Sequence, residues 1–122
     1  MSAPKIAALC LLVLSSLLAK DDIAKTVERE CYICHLSPNP TAEQVKNMAA
    51  PPMWGVVRHL KRDLKDKERF LSFVSDYIME PSADKMRFNK EAMKRFGLMP
   101  SMKGSLSKKE AKRVAEYLYE TY

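Results

Sequence analysis

The chain has 122 residues, of which 47% are hydrophobic and 30% are charged, and its formal net charge is +6 at pH 7. This length suits one domain and is too short for two. The charged and apolar contents argue against a disordered chain, and only three glycines argue against a collagen-like or linker-like one. A small globular protein is left.

The segment 1–19 has the pattern of a secretory signal peptide. Lys5 precedes an apolar run of 14 residues, from Ile6 to Ala19, and charged residues begin directly after it. A helix needs about 20 apolar residues to span a bilayer. We therefore expect cleavage after Ala19 and export to the periplasm, with an uncleaved membrane anchor as the less favoured alternative.

The remaining residues, 20–122, are predicted to form one all-α domain, because no β-type alternation of apolar residues is sustained. Asp21 or Asp22 can cap a first helix that places Ile23, Val27 and Cys31 on one face. Later helices are predicted from Thr41 to about Met48 with Val45, Met48 and Ala49 inward, from Trp54 to about Leu64, from Asp66 to Glu80, and from Ser107 to about Glu120, with shorter pieces from Ser82 and Asn89.

Cys31, Cys34 and His35 form a C-x-x-C-H motif, which is the arrangement for covalent attachment of c-type haem. Two thiols three residues apart on a helix lie about one turn apart on one face, so both can reach the vinyl groups along one porphyrin edge. His35 follows four residues after Cys31 and is directed toward the iron. We expect one covalent haem c, with its iron, per chain.

A zinc site, a redox-active dithiol and a plain disulfide fit the motif less well. A structural zinc site needs four ligands, and the exported chain offers only His59 besides the motif. A thioredoxin-like dithiol would follow a strand of a βαβ unit, and no strand is predicted. A plain disulfide would leave His35 without a role.

A methionine is the expected second axial ligand, and the candidates are Met48, Met53, Met79, Met86, Met93, Met99 and Met102. Met99 is favoured because it lies between a predicted helix end at Gly97 and Pro100, in a loop that can direct its side chain independently of a helix. Met102, His59 and an open site are the alternatives. A thioether opposite His35 would raise the reduction potential relative to a second imidazole.

From about residue 20 to 122 the chain resembles the class I (His/Met) cytochromes c, which are bacterial monohaem electron carriers. The resemblance rests on the early haem motif, on the methionine loop Phe96–Ser101 and on the last helix after Leu106. It implies the cytochrome c fold, in which short helices wrap around one covalently attached haem. It also implies that the last helix crosses the first, with Tyr117 and Leu118 near Val27.

The segment Ala50–Gly55 is similar to the G-P-x-L-x-G segment of that family. The resemblance implies that the carbonyl of Pro51 accepts the proton on the outer nitrogen of His35, which leaves the other nitrogen for iron. Pro52 stays open as an alternative. Trp54 is expected to pack against the porphyrin or the core, and Arg58, His59 and Trp54 are candidates for hydrogen bonds to a haem propionate.

The expected function is outer-sphere electron transfer, in which iron alternates between Fe(III) and Fe(II), and not enzymatic catalysis. We expect a monomer that binds neither nucleic acid nor a small-molecule substrate. Redox-partner proteins would dock transiently near the haem edge through basic residues such as Lys103, Lys108, Lys109, Lys112 and Arg113. The alternatives are a haem subunit of a larger oxidoreductase, or a peroxide- or gas-binding haem protein with an open distal site.

Overall fold

The structure, a computed structural model, describes residues 12–14 and 22–122. Every regular element in these ranges is helical, which confirms the all-α class. The predicted signal peptide 1–19 and its cleavage site lie outside the described residues, apart from 12–14, which are helical and exposed. Among the helices that the structure describes, none is long and apolar enough to cross a membrane.

Residues 22–30 are helical and are called α1, which leads through Cys31 into the short helix α2, Tyr32–His35. The backbone N–H of Cys31 donates to Val27 O (2.9 Å) and that of His35 donates to Cys31 O (3.0 Å), so the helical ladder continues through the motif. The later helices are α3 (Ala42–Lys46), α4 (Met53–Leu64), α5 (Lys67–Met79), α6 (Lys90–Phe96) and α7 (Lys108–Thr121).

Capping side chains begin four of these helices where the sequence predicts. Thr41 and Ser107 form reciprocal capping boxes with Gln44 and Glu110. The side chains of Asp66 and Asn89 likewise accept backbone N–H groups of α5 and α6. No helix follows Ser82, where the chain makes only a single turn.

The core lies between α1, α4, α5 and α7. One cluster contains Ile23 and Val27 from α1, the adjoining Cys31, Met53, Val57, Leu60 and Leu64 from α4, Phe70, Val74 and Ile78 from α5, and Ala111, Val114, Ala115 and Leu118 from α7. Helix α5 packs against both α7 and α4, and more extensively against α7. Burial of these residues is the main stabilising contribution to the fold.

Two predictions about buried residues are wrong. Val45 and Ala49 are exposed and Met48 is only half-buried, because α3 has five residues and is stabilised by its capping box without an inward face. Trp54 is 49% exposed. It follows Met53 by one position and therefore points away from the buried stripe of α4.

Candidate functional site

A cavity of about 200 Å³ borders the core. Its walls come from the C-x-x-C-H segment, helices α4, α5 and α7, and the segments 86–88 and 96–102. Most of its lining is aliphatic, aromatic or thioether, and includes Val57, Leu60, Phe70, Phe73, Val74, Ile78, Phe88, Phe96 and Leu118. Such a space favours an apolar ligand that carries a few polar groups.

Both thiols of the motif lie on the wall of this cavity and neither is in a disulfide. Cys31 is buried and Cys34 is half-buried. Burial raises the pKa of Cys31 to about 11, with smaller contributions from the neighbouring charges of Glu30 and Cys34. Cys31 is therefore a neutral thiol at pH 7.

His35 lies on the same wall, with its ring held in one orientation. Its Nδ1 donates a hydrogen bond of 2.7 Å to the carbonyl oxygen of Pro51. Burial lowers the pKa of His35, and the hydrogen bond to Pro51 opposes that shift. The imidazole is neutral at pH 7, and because Nδ1 carries the proton, the lone pair is on Nε2.

The two adjacent prolines have different roles. Pro52 begins α4, and its carbonyl oxygen accepts the N–H groups of Gly55 (2.9 Å) and Val56 (3.1 Å). The carbonyl of Pro51 lies outside the helix and is free to accept from His35. The structure thus distinguishes the two prolines that the sequence leaves open.

Only some of the methionines that the sequence offers as iron ligands lie at the cavity. Met53, Met86, Met99 and Met102 line the cavity, whereas Met48, Met79 and Met93 do not. His59, the alternative axial ligand, also lies outside the lining, with its Nε2 donating to Arg87 O at 2.7 Å. The choice between Met99 and Met102 stays open, since both are half-buried at the cavity.

The loop that contains these two methionines is fixed to the end of α5. The backbone N–H of Met102 donates to Ile78 O (2.8 Å), and the hydroxyl of Ser101 donates to Met79 O (2.6 Å). Lys103 forms an ion pair with Glu80 just beyond. Carbonyls in the last turn of a helix have no partner within the helix, and here the loop satisfies two of them.

One strongly basic side chain, Arg87, lines the cavity. Its Nη1 lies 2.9 Å from Asp63 Oδ2, and its guanidinium lies 5.5 Å from the centre of the Phe73 ring. Sequence reasoning missed this residue because nothing in its local pattern distinguishes it from a solvated arginine. Trp54 and Arg58, which the sequence suggests for a propionate, do not line the cavity.

The side chains at the cavity do not form a site for a bare metal ion. Among the residues that the structure describes, no three His, Cys, Asp or Glu side chains are grouped to hold one. The donors on the wall are two thiols, one imidazole, the carboxylate of Glu30 and the methionine thioethers. The basic residues predicted for docking, Lys103 to Arg113, are absent from the lining, and Lys103 is paired with Glu80.

The fold and site define a small all-helical protein with a C-x-x-C-H helix beside an apolar cavity. The chain belongs to the same family as an uncharacterized protein of Aquifex aeolicus (strain VF5). The two are 35% identical over 107 residues, which cover 78% of this chain and 70% of that protein. No protein-family model and no solved structure matches the chain.

Proposed function

We propose that the chain is an exported, class I cytochrome c-like electron carrier with one covalently bound haem c. The observation that carries the proposal is the hydrogen bond between His35 Nδ1 and Pro51 O, on a cavity wall shared with Cys31 and Cys34. A histidine that ligates iron usually donates its other ring N–H to such an oxygen. A structural zinc site would not require an apolar space beside the motif.

The chemistry of the two cysteines fits covalent attachment. Cys31 and Cys34 are free thiols one turn apart on the same wall. Each S–H can add across one vinyl C=C bond, so that a carbon–sulfur bond forms at one carbon and the hydrogen goes to the other. This addition needs no oxidant, and it requires that the two cysteines are not joined in a disulfide.

His35 and Met99 are the residues that would hold the haem iron. When bound, the haem iron supplies a one-electron Fe(III)/Fe(II) couple. His35 presents the lone pair of Nε2, and the hydrogen bond to Pro51 holds its ring plane and its tautomer. Met99 comes from a loop fixed to the end of α5 through Ser101 and Met102.

A bound haem also needs water to be excluded and a cation for its carboxylates, and the cavity walls and Arg87 supply these. Aromatic and aliphatic side chains such as Phe70 and Val74 exclude water, which limits the reorganisation that accompanies a change of charge. Arg87 supplies a cation for a carboxylate of an otherwise apolar ligand. These residues need only hold the cofactor, because outer-sphere electron transfer makes and breaks no bond to a substrate.

The test is to produce the full chain in a host that exports it and attaches haem, and then to extract it with acidified acetone. We expect the pigment to stay with the protein and the mass to exceed that of the polypeptide by one haem. Cys31→Ser/Cys34→Ser should lose both properties. Cys10→Ser is the matched control, since Cys10 lies outside the motif. A colourless exported chain with the mass of its amino acids alone would refute the proposal.

A further inference from the structure

A second pocket, of about 280 Å³, lies on the outer side of α4. It is lined by Trp54, Arg58, Lys61, Arg62 and Tyr122. None of these α4 residues belongs to the buried stripe of the helix, which consists of Met53, Val57, Leu60 and Leu64. This pocket and the apolar cavity therefore lie on different faces of α4. No lining residue is shared between the two.

The pocket is basic and lacks a carboxylate side chain. Arg58 and Arg62 lie four positions apart and therefore share a helix face. Neither guanidinium has a hydrogen bond or ion pair to another described residue, although six ion pairs form elsewhere in the described chain. Arg58 instead lies 5.7 Å from the centre of the Trp54 ring. The two guanidiniums can thus act together in binding an oxyanion.

The opposite wall of the pocket is held in place by the last described residue. Lys61 Nζ donates to the backbone oxygen of Tyr122 (3.0 Å), and the Tyr122 hydroxyl donates to that of Tyr32 (2.9 Å). Tyr32 belongs to the helix of the haem motif. This side of the pocket is therefore fixed by hydrogen bonds, whereas Arg58 and Arg62 on the other side are exposed.

A row of basic residues on a helix is usually only a solvated face. This one differs because a tryptophan that is 49% exposed stands among the cations. Tryptophan, tyrosine and arginine are the residues that dominate binding energy at protein interfaces, where they line desolvated pockets. All three types meet here.

We propose that this pocket is a docking site for an acidic segment of a partner protein, with Asp or Glu carboxylates bound by Arg58 and Arg62 beside the Trp54 ring. A protruding side chain fits the concave space between Trp54 and Tyr122, whereas a flat anionic bilayer surface does not fill it. The site does not depend on haem, and it leaves the walls of the apolar cavity uncovered.

The experiment uses the purified full chain and a fluorescein-labelled oligoglutamate peptide. Binding is measured by fluorescence anisotropy, and its location by NMR, because Trp54 is the single tryptophan and gives a single indole N–H resonance. We expect that resonance to shift on binding. Arg58→Gln/Arg62→Gln should weaken binding roughly tenfold, and added salt should weaken binding by the wild type.

Lys46→Gln/Lys90→Gln is the matched control, since it removes the same charge from exposed positions on α3 and α6. It should change the affinity less than twofold. An unmoved indole resonance, or an equal loss in the control, would overturn the proposal. A third result would also overturn the proposal: the peptide does not bind, but phosphatidylglycerol vesicles bind tightly and Arg58→Gln/Arg62→Gln abolishes that binding. The ligand would then be a lipid surface.

Discussion

The carbonyl oxygen of Pro51 accepts a 2.7 Å hydrogen bond from Nδ1 of His35, although sixteen positions separate the two residues in sequence. The chain leaves the C-x-x-C-H helix through Leu36, which is buried and has φ of 59°, a value that L-residues rarely adopt. A strained backbone persists only where its surroundings hold it. The hydrogen bond and the burial of Leu36 together fix the path of the loop after His35.

The first prediction concerns the tautomers of the two histidines, which make hydrogen bonds through different nitrogens. His35 donates to Pro51 from Nδ1, whereas His59 donates to Arg87 from Nε2. We expect a proton on Nδ1 of His35 and on Nε2 of His59, which nitrogen-15 NMR of the reduced, labelled protein measures directly. A proton found on Nε2 of His35 would contradict the proposed iron ligation.

Helix boundaries could be predicted from the sequence because their causes are local. The capping boxes at Thr41 and Ser107 each involve residues only three positions apart. Gly97 likewise ends α6 with φ of 73° through its own conformational freedom. Such signals do not depend on the rest of the fold.

Contacts between distant segments could not be predicted in this way. Arg87 reaches Asp63 across 24 positions, and its place at the cavity follows from the packing of its loop on α4 and α5. Pro51 and Pro52 are chemically alike, and only the start of α4 distinguishes their carbonyls. The residue type of Trp54 predicts burial, but its helical phase exposes it.

The second prediction distinguishes the two cavity methionines of the loop. Met99→Ala should abolish the weak sulfur-to-iron band at the red end of the oxidised spectrum, because the thioether ligand is lost. Met102→Ala should keep the band and lower the free energy of unfolding by about 2 kcal/mol, since only packing is removed. A reversed pattern would assign the ligand to Met102. Rapid carbon monoxide binding by the reduced wild type would favour an open distal site.

The third prediction concerns the cation at the cavity. Arg87→Gln should lower the reduction potential by roughly 10–40 mV, because removing positive charge stabilises Fe(III) over Fe(II). Asp63→Asn breaks the same ion pair but removes negative charge, so it should raise the potential. Protein-film voltammetry measures both. If both variants change the reduction potential by the same amount in the same direction, the ion pair acts only by holding the loop in place.

The fourth prediction is a pH dependence at the base of the methionine loop. The hydrogen bond and charge of Lys103, with a smaller contribution from Lys85, lower the pKa of Glu80 below its ordinary 4.5. The ion pair therefore stabilises the folded state above about pH 4.5, and that contribution is lost as the pH falls through the lowered pKa.

Glu80→Gln should accordingly unfold at a lower denaturant concentration than the wild type at pH 7, by a small margin because both side chains are exposed. The difference should shrink steadily below pH 4.5. Lys94→Gln is the control, since it breaks another exposed pair, with Glu91, on α6. If the wild type and Glu80→Gln still unfold at different denaturant concentrations in acid, the ion pair is not the cause of that difference.

The fifth prediction compares two residues with positive φ at helix ends. Lys65 ends α4 in the left-handed conformation, with φ of 63° and ψ of −19°. That conformation costs an L-residue about 1 kcal/mol, and the extra freedom of glycine in the unfolded chain offsets about half of the gain. Lys65→Gly should therefore raise the free energy of unfolding by about 0.5 kcal/mol in a denaturant titration.

Gly97→Ala should act in the opposite direction. Gly97 has φ of 73° and ψ of −168°, a region open essentially to glycine alone, although a Cβ there would meet no atom within 4 Å. The cost is therefore backbone strain of about 1–3 kcal/mol rather than a clash. Because Gly97 leads into the loop of Met99, the sulfur-to-iron band should also disappear at lower denaturant than global unfolding. An unchanged band and stability would mean that the loop does not need this turn.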